Sequence, residues 1–177
     1  MLLNIFSPRK RNEEEEFRQI VEQNQRRLYW HLRRLLNSHE DAEDVLQETF
    51  YKAYKSFRKF DGKSSIYTWL YKIATNEALR FIGKKGPEYE LLDNIGDNIR
   101  SENDETDERL NEQRILLQKA IRTLPEKQKL VFNLRFYDEM EYEQICEILG
   151  ISMSAAKTNF HLAKEKIKSY IQSQPLQ

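Results

Sequence analysis

Between Lys63 and Arg80 the chain interleaves aromatic, cationic and amide side chains: Lys63, Tyr67, Trp69, Tyr71, Lys72, Asn76 and Arg80. That mixture suits single-stranded nucleic acid, because bases stack on aromatic faces while cations follow the backbone. Core packing competes for the same aromatic rings and is expected to claim part of Trp69. A second group, Asp41, Asp44, Gln47, Glu48 and Tyr51, falls on one side of a helix opposite its apolar stripe. Acid repels DNA, so this acidic and amide-rich strip is read as a surface for a protein partner.

A third group lies in residues 142–167, where Tyr142, Ile145, Ile148 and Leu149 mark one short helix, followed by Gly150-Ile151-Ser152 and a longer helix. This is helix-turn-helix spacing. Gly150 supplies the left-handed backbone of a tight turn, Ile151 plugs the corner, and the Ser152 hydroxyl caps the second helix. In that helix Met153, Ala156, Phe160, Ala163 and Ile167 turn inward. Ser154, Lys157, Thr158, His161 and Lys164 are left outside, a cationic and hydrogen-bonding face that fits a major groove. The plain alternative is a helical hairpin with a solvated outer face. Cys146 sits where two helices approach closely and is read as a small packing residue rather than a redox sensor.

The elements that would carry these groups are all helical. Five glycines and four prolines in 177 residues, with apolar residues recurring at three and four, leave no strand pattern. Asn12 with Glu15 reads as a capping pair opening a helix whose stripe is Phe17, Ile20, Val21, Leu28, Leu32, Leu35 and Leu36, interrupted at Asn24. Ser38 starts a second helix with Ala42, Val45, Leu46, Thr49, Ala53 and Phe57 inward. Residues 59–64 break it, and a third runs from about Ser65, with Ile66, Trp69, Leu70, Ile73, Ala74 and Phe81 inward, until Gly83 to Pro87. Leu110, Leu117, Ile121 and Leu124 mark a further helix, and Pro125 suits the first turn of the next, which carries Leu130, Val131 and Leu134. The expected architecture is two small all-α domains, 12–85 and 107–172, joined by an acidic linker over 86–106 that cannot bury enough apolar area to order itself.

Lys+Arg and Asp+Glu are equal at 29 each, which taken alone argues against a protein that coats DNA electrostatically. The distribution is segregated, however. Residues 51–85 hold nine Lys/Arg against two acids, a net +7, and residues 86–112 hold ten acids against two Arg, a net −8. The longest apolar runs are far too short to span a bilayer, and the opening MLLNIFSPRKRN places its apolar part before its charge, the reverse of a secretory signal. No membrane insertion is expected, and a cytoplasmic location is. One cysteine and three scattered histidines imply no disulfide, no metal and no cofactor.

Through DAEDVLQETFYKAYKSF (41–57), KFDGKSSIYTWLYKIATNEALR (59–80) and LPEKQKLVFNLRFYDEMEYEQICEILGISMSAAKTNFHLAKEKI (124–167), the sequence resembles the extracytoplasmic-function group of bacterial sigma factors. The resemblance implies that the first domain binds core RNA polymerase and melts promoter DNA. Asp41, Asp44, Gln47 and Glu48 would then form the strip that docks on a coiled coil of the beta-prime subunit. It further implies that the loop carrying Phe60, Asp61, Lys63 and Ser64, with the helix through Asn76, opens the minus-ten element and captures a flipped base. Lys157, Thr158 and His161 match the readers of the minus-thirty-five element as duplex, the beta flap is a further partner, and the linker would lie in the polymerase's cationic channel. Glu141 stands where the family often has Ser or Thr, which implies a weaker helix cap, and Leu162 stands where it often has a basic residue, so no DNA contact is carried onto it.

Two other readings compete. A regulator that binds DNA alone, with 12–85 as a sensor or dimerisation module, is disfavoured by zero net charge and the −8 segment. An enzyme is disfavoured because no paired carboxylates, phosphate-cradling glycine loop or nucleophile with a histidine partner occurs. Because acidic and basic surfaces complement each other, the free protein is expected to be partly self-occluded or held by an inhibitory anti-sigma factor.

Overall fold

The computed structural model describes residues 8–86, 89 and 108–174; side chains are described from Glu13, and in the fourth helix from Glu112. Seven α-helices are described: α1 Pro8–Leu35, α2 His39–Ser56, α3 Ile66–Lys85, α4 Glu108–Arg122, α5 Glu126–Phe136, α6 Tyr142–Leu149 and α7 Met153–Gln172. Among the described residues there is no strand, and no helix is long and apolar enough to cross a membrane.

Local chemistry sets most of the boundaries. Ser38, Ser65 and Ser152 all have extended backbones, and their hydroxyls accept from the amides of Asp41 (3.0 Å), Thr68 (3.0 Å) and Ala155 (3.2 Å). A Ser65→Ala protein should therefore lose about 1 kcal/mol of stability, read as a lowered thermal midpoint by tryptophan fluorescence. An unchanged midpoint would mean the cap adds nothing to α3. Gly150 closes α6 at φ +64, the left-handed region where a side chain is strained.

Two expectations need correction. First, α1 begins at Pro8, so the helix already runs through Asn12 and the expected start there does not exist. Asn24, the polar residue that interrupts the apolar stripe, is buried, and its Nδ2 donates to Ile20 O at 2.7 Å, folding the amide back onto the helix. Helix α3 stops within the expected stretch, at Gly86, φ +84. Second, Glu141 is better supported than its residue type implies, because Gln144 Oε1 accepts from the Glu141 amide at 3.0 Å. Of the expected linker, residues 87–88 and 90–107 lie outside the described residues.

Helices α1, α2 and α3 pack on one another through Leu28, Leu32, Leu36, Val45, Leu70 and Ala74, and α4, α5 and α7 close a second cluster around Ile121, Leu124, Phe132 and Ile167. The two units are not separate. Helix α6 packs against α3, and a continuous apolar core joins Leu70, Tyr71 and Ala74 to Leu134, Met140 and Ile145.

Candidate nucleic-acid interface

Helix α7 is divided as its periodicity requires. Ala156, Ala163 and Ile167 are buried and Phe160 is half-buried between Phe132 and Tyr142. Ser154, Lys157, Thr158, His161 and Lys164 are all exposed along the other side. Lys157 Nζ lies 5.8 Å from the Tyr142 ring and Lys164 Nζ 5.1 Å from the Phe160 ring, so both ammonium groups are steadied by aromatic faces while remaining open to an incoming anion. Leu162 is exposed beside them.

On α3 the single group read from the sequence divides between two faces. Trp69, Lys72, Asn76 and Arg80 are spaced by three, four and four and follow one side of the helix, where Lys72, Asn76 and Arg80 are exposed. Phe60 packs on Trp69 with ring centroids 4.9 Å apart, tying the preceding loop to this side. In that loop Asp61 and Lys63 form a 2.7 Å ion pair, and Asp61 also accepts from the Lys63 amide at 3.2 Å. These contacts, led by the Lys63 side chain, hold the Asp61 carboxyl below its ordinary range and raise Lys63. Ser64 is half-buried between this pair and the cap of α3.

Tyr67 and Tyr71 occupy the opposite side of α3, in mutual contact at 4.5 Å. Tyr71 is wholly buried, and burial followed by the charge of Asp138 pushes its hydroxyl far above the ordinary phenol range, so it remains a donor. Expected as an exposed stacking residue, Tyr71 is instead closed off from nucleic acid in this arrangement, because the other unit packs on it.

The acidic strip on α2 is likewise uneven. Asp44 and Gln47 are exposed. Asp41 is partly covered, accepting from the Tyr89 hydroxyl at 2.8 Å, with Lys85 at 4.0 Å. Tyr89, which the sequence places in a linker, is buried: its ring packs on Phe81, its hydroxyl accepts from the Asn37 amide, and its carbonyl accepts from the Asn37 side chain. Glu48 and Arg80, expected to serve different partners, belong to one network: Glu48 lies 3.6 Å from Lys52 and 3.9 Å from Arg80, and Glu77 bonds both Lys52 (2.6 Å) and Arg80 (2.5 Å).

Sequence reasoning missed the seam between the units. Asp138, just past α5, meets His31 and Arg34 of α1 and Tyr71 of α3. Burial works against its carboxylate, but the bond and charge of His31, and then Arg34, outweigh burial and hold it below the usual range. A carboxylate lowered in this way stabilises above its unfolded value and ceases to as pH falls through the folded one. The contribution of this carboxylate is therefore present at neutral pH and is lost in acid. Neither the α2 strip nor the outer face of α7 takes part in these described contacts.

Helix α7 also forms one wall of an apolar groove lined by Leu117, Phe132, Phe136, Ile167 and Ile171, with Lys164 and Lys168 at its rim; Phe136 is 51% exposed there. Among the described residues no cluster of His, Cys, Asp or Glu could hold a metal ion.

Residues 20–88 match the family described as Sigma-70 region 2, and residues 114–167 that described as Sigma-70, region 4. The chain is 34% identical over 146 residues to the ECF RNA polymerase sigma-E factor of Haemophilus influenzae, covering 76% of this chain and 77% of that relative. It is 30% identical over 175 residues to the ECF RNA polymerase sigma factor SigW of Bacillus subtilis, covering 92% of each. Among solved structures, the sigma factor RpoE of Bartonella quintana, in complex with the anti-sigma factor NepR, matches with a TM-score of 0.71 at 20% identity over 91% of this chain and 99% of that one, a likeness of fold.

Proposed function

The chain belongs to the extracytoplasmic-function group of bacterial sigma factors, and from that premise we propose which of its surfaces meets polymerase and which meets DNA. It binds core RNA polymerase and directs promoter-specific transcription initiation, and it is not an enzyme. The observation that carries the assignment of surfaces is that three exposed faces of different character coexist: an acidic-amide strip on α2, an aromatic-cationic-amide face on α3, and a cationic face on α7.

In this reading Asp44 and Gln47, flanked by Asp41 and Glu48, dock on the beta-prime coiled coil. Phe60, Asp61, Lys63 and Ser64, with Trp69, Lys72, Asn76 and Arg80, open the downstream element and hold its single strand, where a displaced base stacks on the Phe60–Trp69 pair and its phosphates meet Lys72 and Arg80. Tyr67 and Tyr71 join them only once the seam is open. Ser154, Lys157, Thr158, His161 and Lys164 read the upstream element as duplex. The apolar groove beside α7 fits an apolar helix of the beta flap. An anti-sigma factor, as seen on the Bartonella relative, would act by covering one of these faces. The work is done where polymerase and chromosome are, in the cytoplasm, by two domains, 12–85 and 107–172, with the acidic segment between them. The stand-alone regulator is not favoured, since it leaves the α2 strip without a partner.

Run-off transcription from genomic fragments with core polymerase tests this. Specific transcripts should appear only when the protein is added. A Lys157→Ala, Thr158→Ala, His161→Ala protein should lower them by about 100-fold, in line with about 1–3 kcal/mol per base-reading contact. Tight retention of a promoter fragment by the protein alone, without transcripts when polymerase is added, would restore the regulator reading.

A further inference from the structure

A small cavity of about 70 Å³ lies between the C-terminal end of α1 and helices α4 and α5. Arg34, Arg122, Lys129 and Asn133 supply most of its polar wall, and among the described residues no Asp or Glu lines it. Lys129 and Asn133 stand four residues apart on α5 and so share one side of that helix. Asn133 is 1% exposed, and neither Nδ2 nor Oδ1 of its side-chain amide has a hydrogen-bond partner. Arg34 donates from Nη2 to Asp138 at 2.5 Å and lies with its guanidinium carbon 5.0 Å from the Tyr137 ring, while its Nε is buried without a partner. Lys129 is half-buried beside them.

Buried polar atoms without partners are costly, and each calls for a group that answers it. The set gathered at this cavity is specific: two donors, Arg34 Nε and Asn133 Nδ2, and one acceptor, Asn133 Oδ1. Asp138 already balances the charge of Arg34, so the attraction for an anion rests chiefly on Lys129. A halide or a carboxylate only accepts. Hydrogenphosphate brings negative charge, accepting oxygens and a P–OH group that donates, and so answers every member of the set. Size agrees with that choice. The cavity is several times the ~10–15 Å³ that one ordered water requires, enough for a small polyatomic ion and too little for a nucleoside.

We propose that this cavity is a binding site for free orthophosphate, taken up as hydrogenphosphate. Arg34 Nε and Asn133 Nδ2 donate to its oxygens, its P–OH donates to Asn133 Oδ1, and the Lys129 ammonium supplies the opposing charge. The inference does not depend on the sigma-factor reading, because it concerns what the protein binds by itself. It adds a small-molecule ligand to a chain whose other surfaces fit macromolecules. The acceptor makes the site selective, since an anion that cannot donate leaves Oδ1 without a partner. Sulfate, alike in shape and charge, should therefore bind about 10-fold or more weakly than phosphate.

Thermal unfolding of the full chain in rising sodium phosphate, against sodium chloride at equal ionic strength and pH, tests the site. Phosphate should raise the midpoint saturably, by roughly 5–10 °C at about 100 times its dissociation constant, and isothermal titration should show a single site. Asn133→Leu keeps the branching of the side chain and removes both unpartnered atoms, with the cavity beside it to take the extra bulk. Its midpoint without phosphate should not fall, while its affinity for phosphate drops about 10- to 100-fold. Lys129→Met, at a half-buried position, keeps the stem without the charge and gives a second test should Asn133→Leu not fold; a loss of about 10-fold is expected. Adenosine monophosphate separates the free ion from a phosphate ester and should bind about 10-fold or more weakly than phosphate, its nucleoside having no room. The proposal is overturned if phosphate shifts the midpoint no more than chloride does, or if both variants respond as the wild type. Equal affinity for sulfate would overturn hydrogenphosphate in favour of any small oxyanion, and equal affinity for adenosine monophosphate would overturn the free ion in favour of an ester.

Discussion

An Asp44→Arg, Gln47→Arg protein should yield no detectable run-off transcript at concentrations where the wild type saturates polymerase, while its circular dichroism and thermal midpoint stay within error of wild type. Both residues are exposed on α2, and no hydrogen bond or ion pair is described for either. Their substitution therefore removes nothing from the fold, and exposed substitutions of this kind change stability by only about 0.5 kcal/mol. At a docking surface the change is large, because cations placed against a site shaped for acid and amide cost several kcal/mol through like-charge contact. A fall of more than about 100-fold in affinity for core polymerase follows. Asp41 provides the contrast. Its carboxylate is engaged by Tyr89 and faces Lys85, so Asp41→Asn should disturb the packing of Tyr89 more than polymerase binding. Full transcription by the Asp44, Gln47 variant would remove the strip from the polymerase interface.

Leu70→Ala should destabilise the N-terminal helices by about 2–5 kcal/mol. Leu70 is wholly buried where α3 meets α1 and α2, and truncation forfeits its transfer energy and leaves a cavity that the helices only partly close. In a chain of this size about 3 kcal/mol lowers the thermal midpoint by roughly 6–12 °C. The measurement is selective, because both tryptophans, Trp30 and Trp69, lie on α1 and α3. Fluorescence therefore reports these helices, and circular dichroism the whole chain. Leu70 also sets the rotation of α3, whose far side carries Trp69, Lys72 and Asn76, so promoter opening should fall with stability as temperature rises. A midpoint lowered by less than about 2 °C would mean that α3 is not anchored by this side chain.

What was legible in the chain follows from short-range rules. Periodicity separated Ala156, Ala163 and Ile167 from Lys157, Thr158 and His161, since a helix assigns faces by spacing alone. Ser38, Ser65 and Ser152 marked three helix starts because a hydroxyl three residues ahead of an amide is a local contact. The extension of α1 back to Pro8 escaped this logic, because a favourable capping pair inside a helix looks the same in one dimension as a cap at its start. By composition Tyr89 belongs to a linker, yet it is buried by Asn37 and Phe81, partners some fifty and eight residues earlier in the chain.

By itself the sequence determined that the protein is all helical, that it ends in a helix-turn-helix with a cationic outer face, and that it resembles a family whose chemistry needs an acidic strip and an aromatic-cationic helix. All of these rest on residue type and separations of a few positions. Only the tertiary structure decided which of those residues are open to partners. It buried Tyr71 against Asp138, drew Glu48 and Arg80 into one ion network, and joined Asp138 to His31 across 107 positions. Periodicity states which residues share a face of one helix, whereas a buried carboxylate persists only where donors from other helices converge on it, and that convergence exists only in three dimensions.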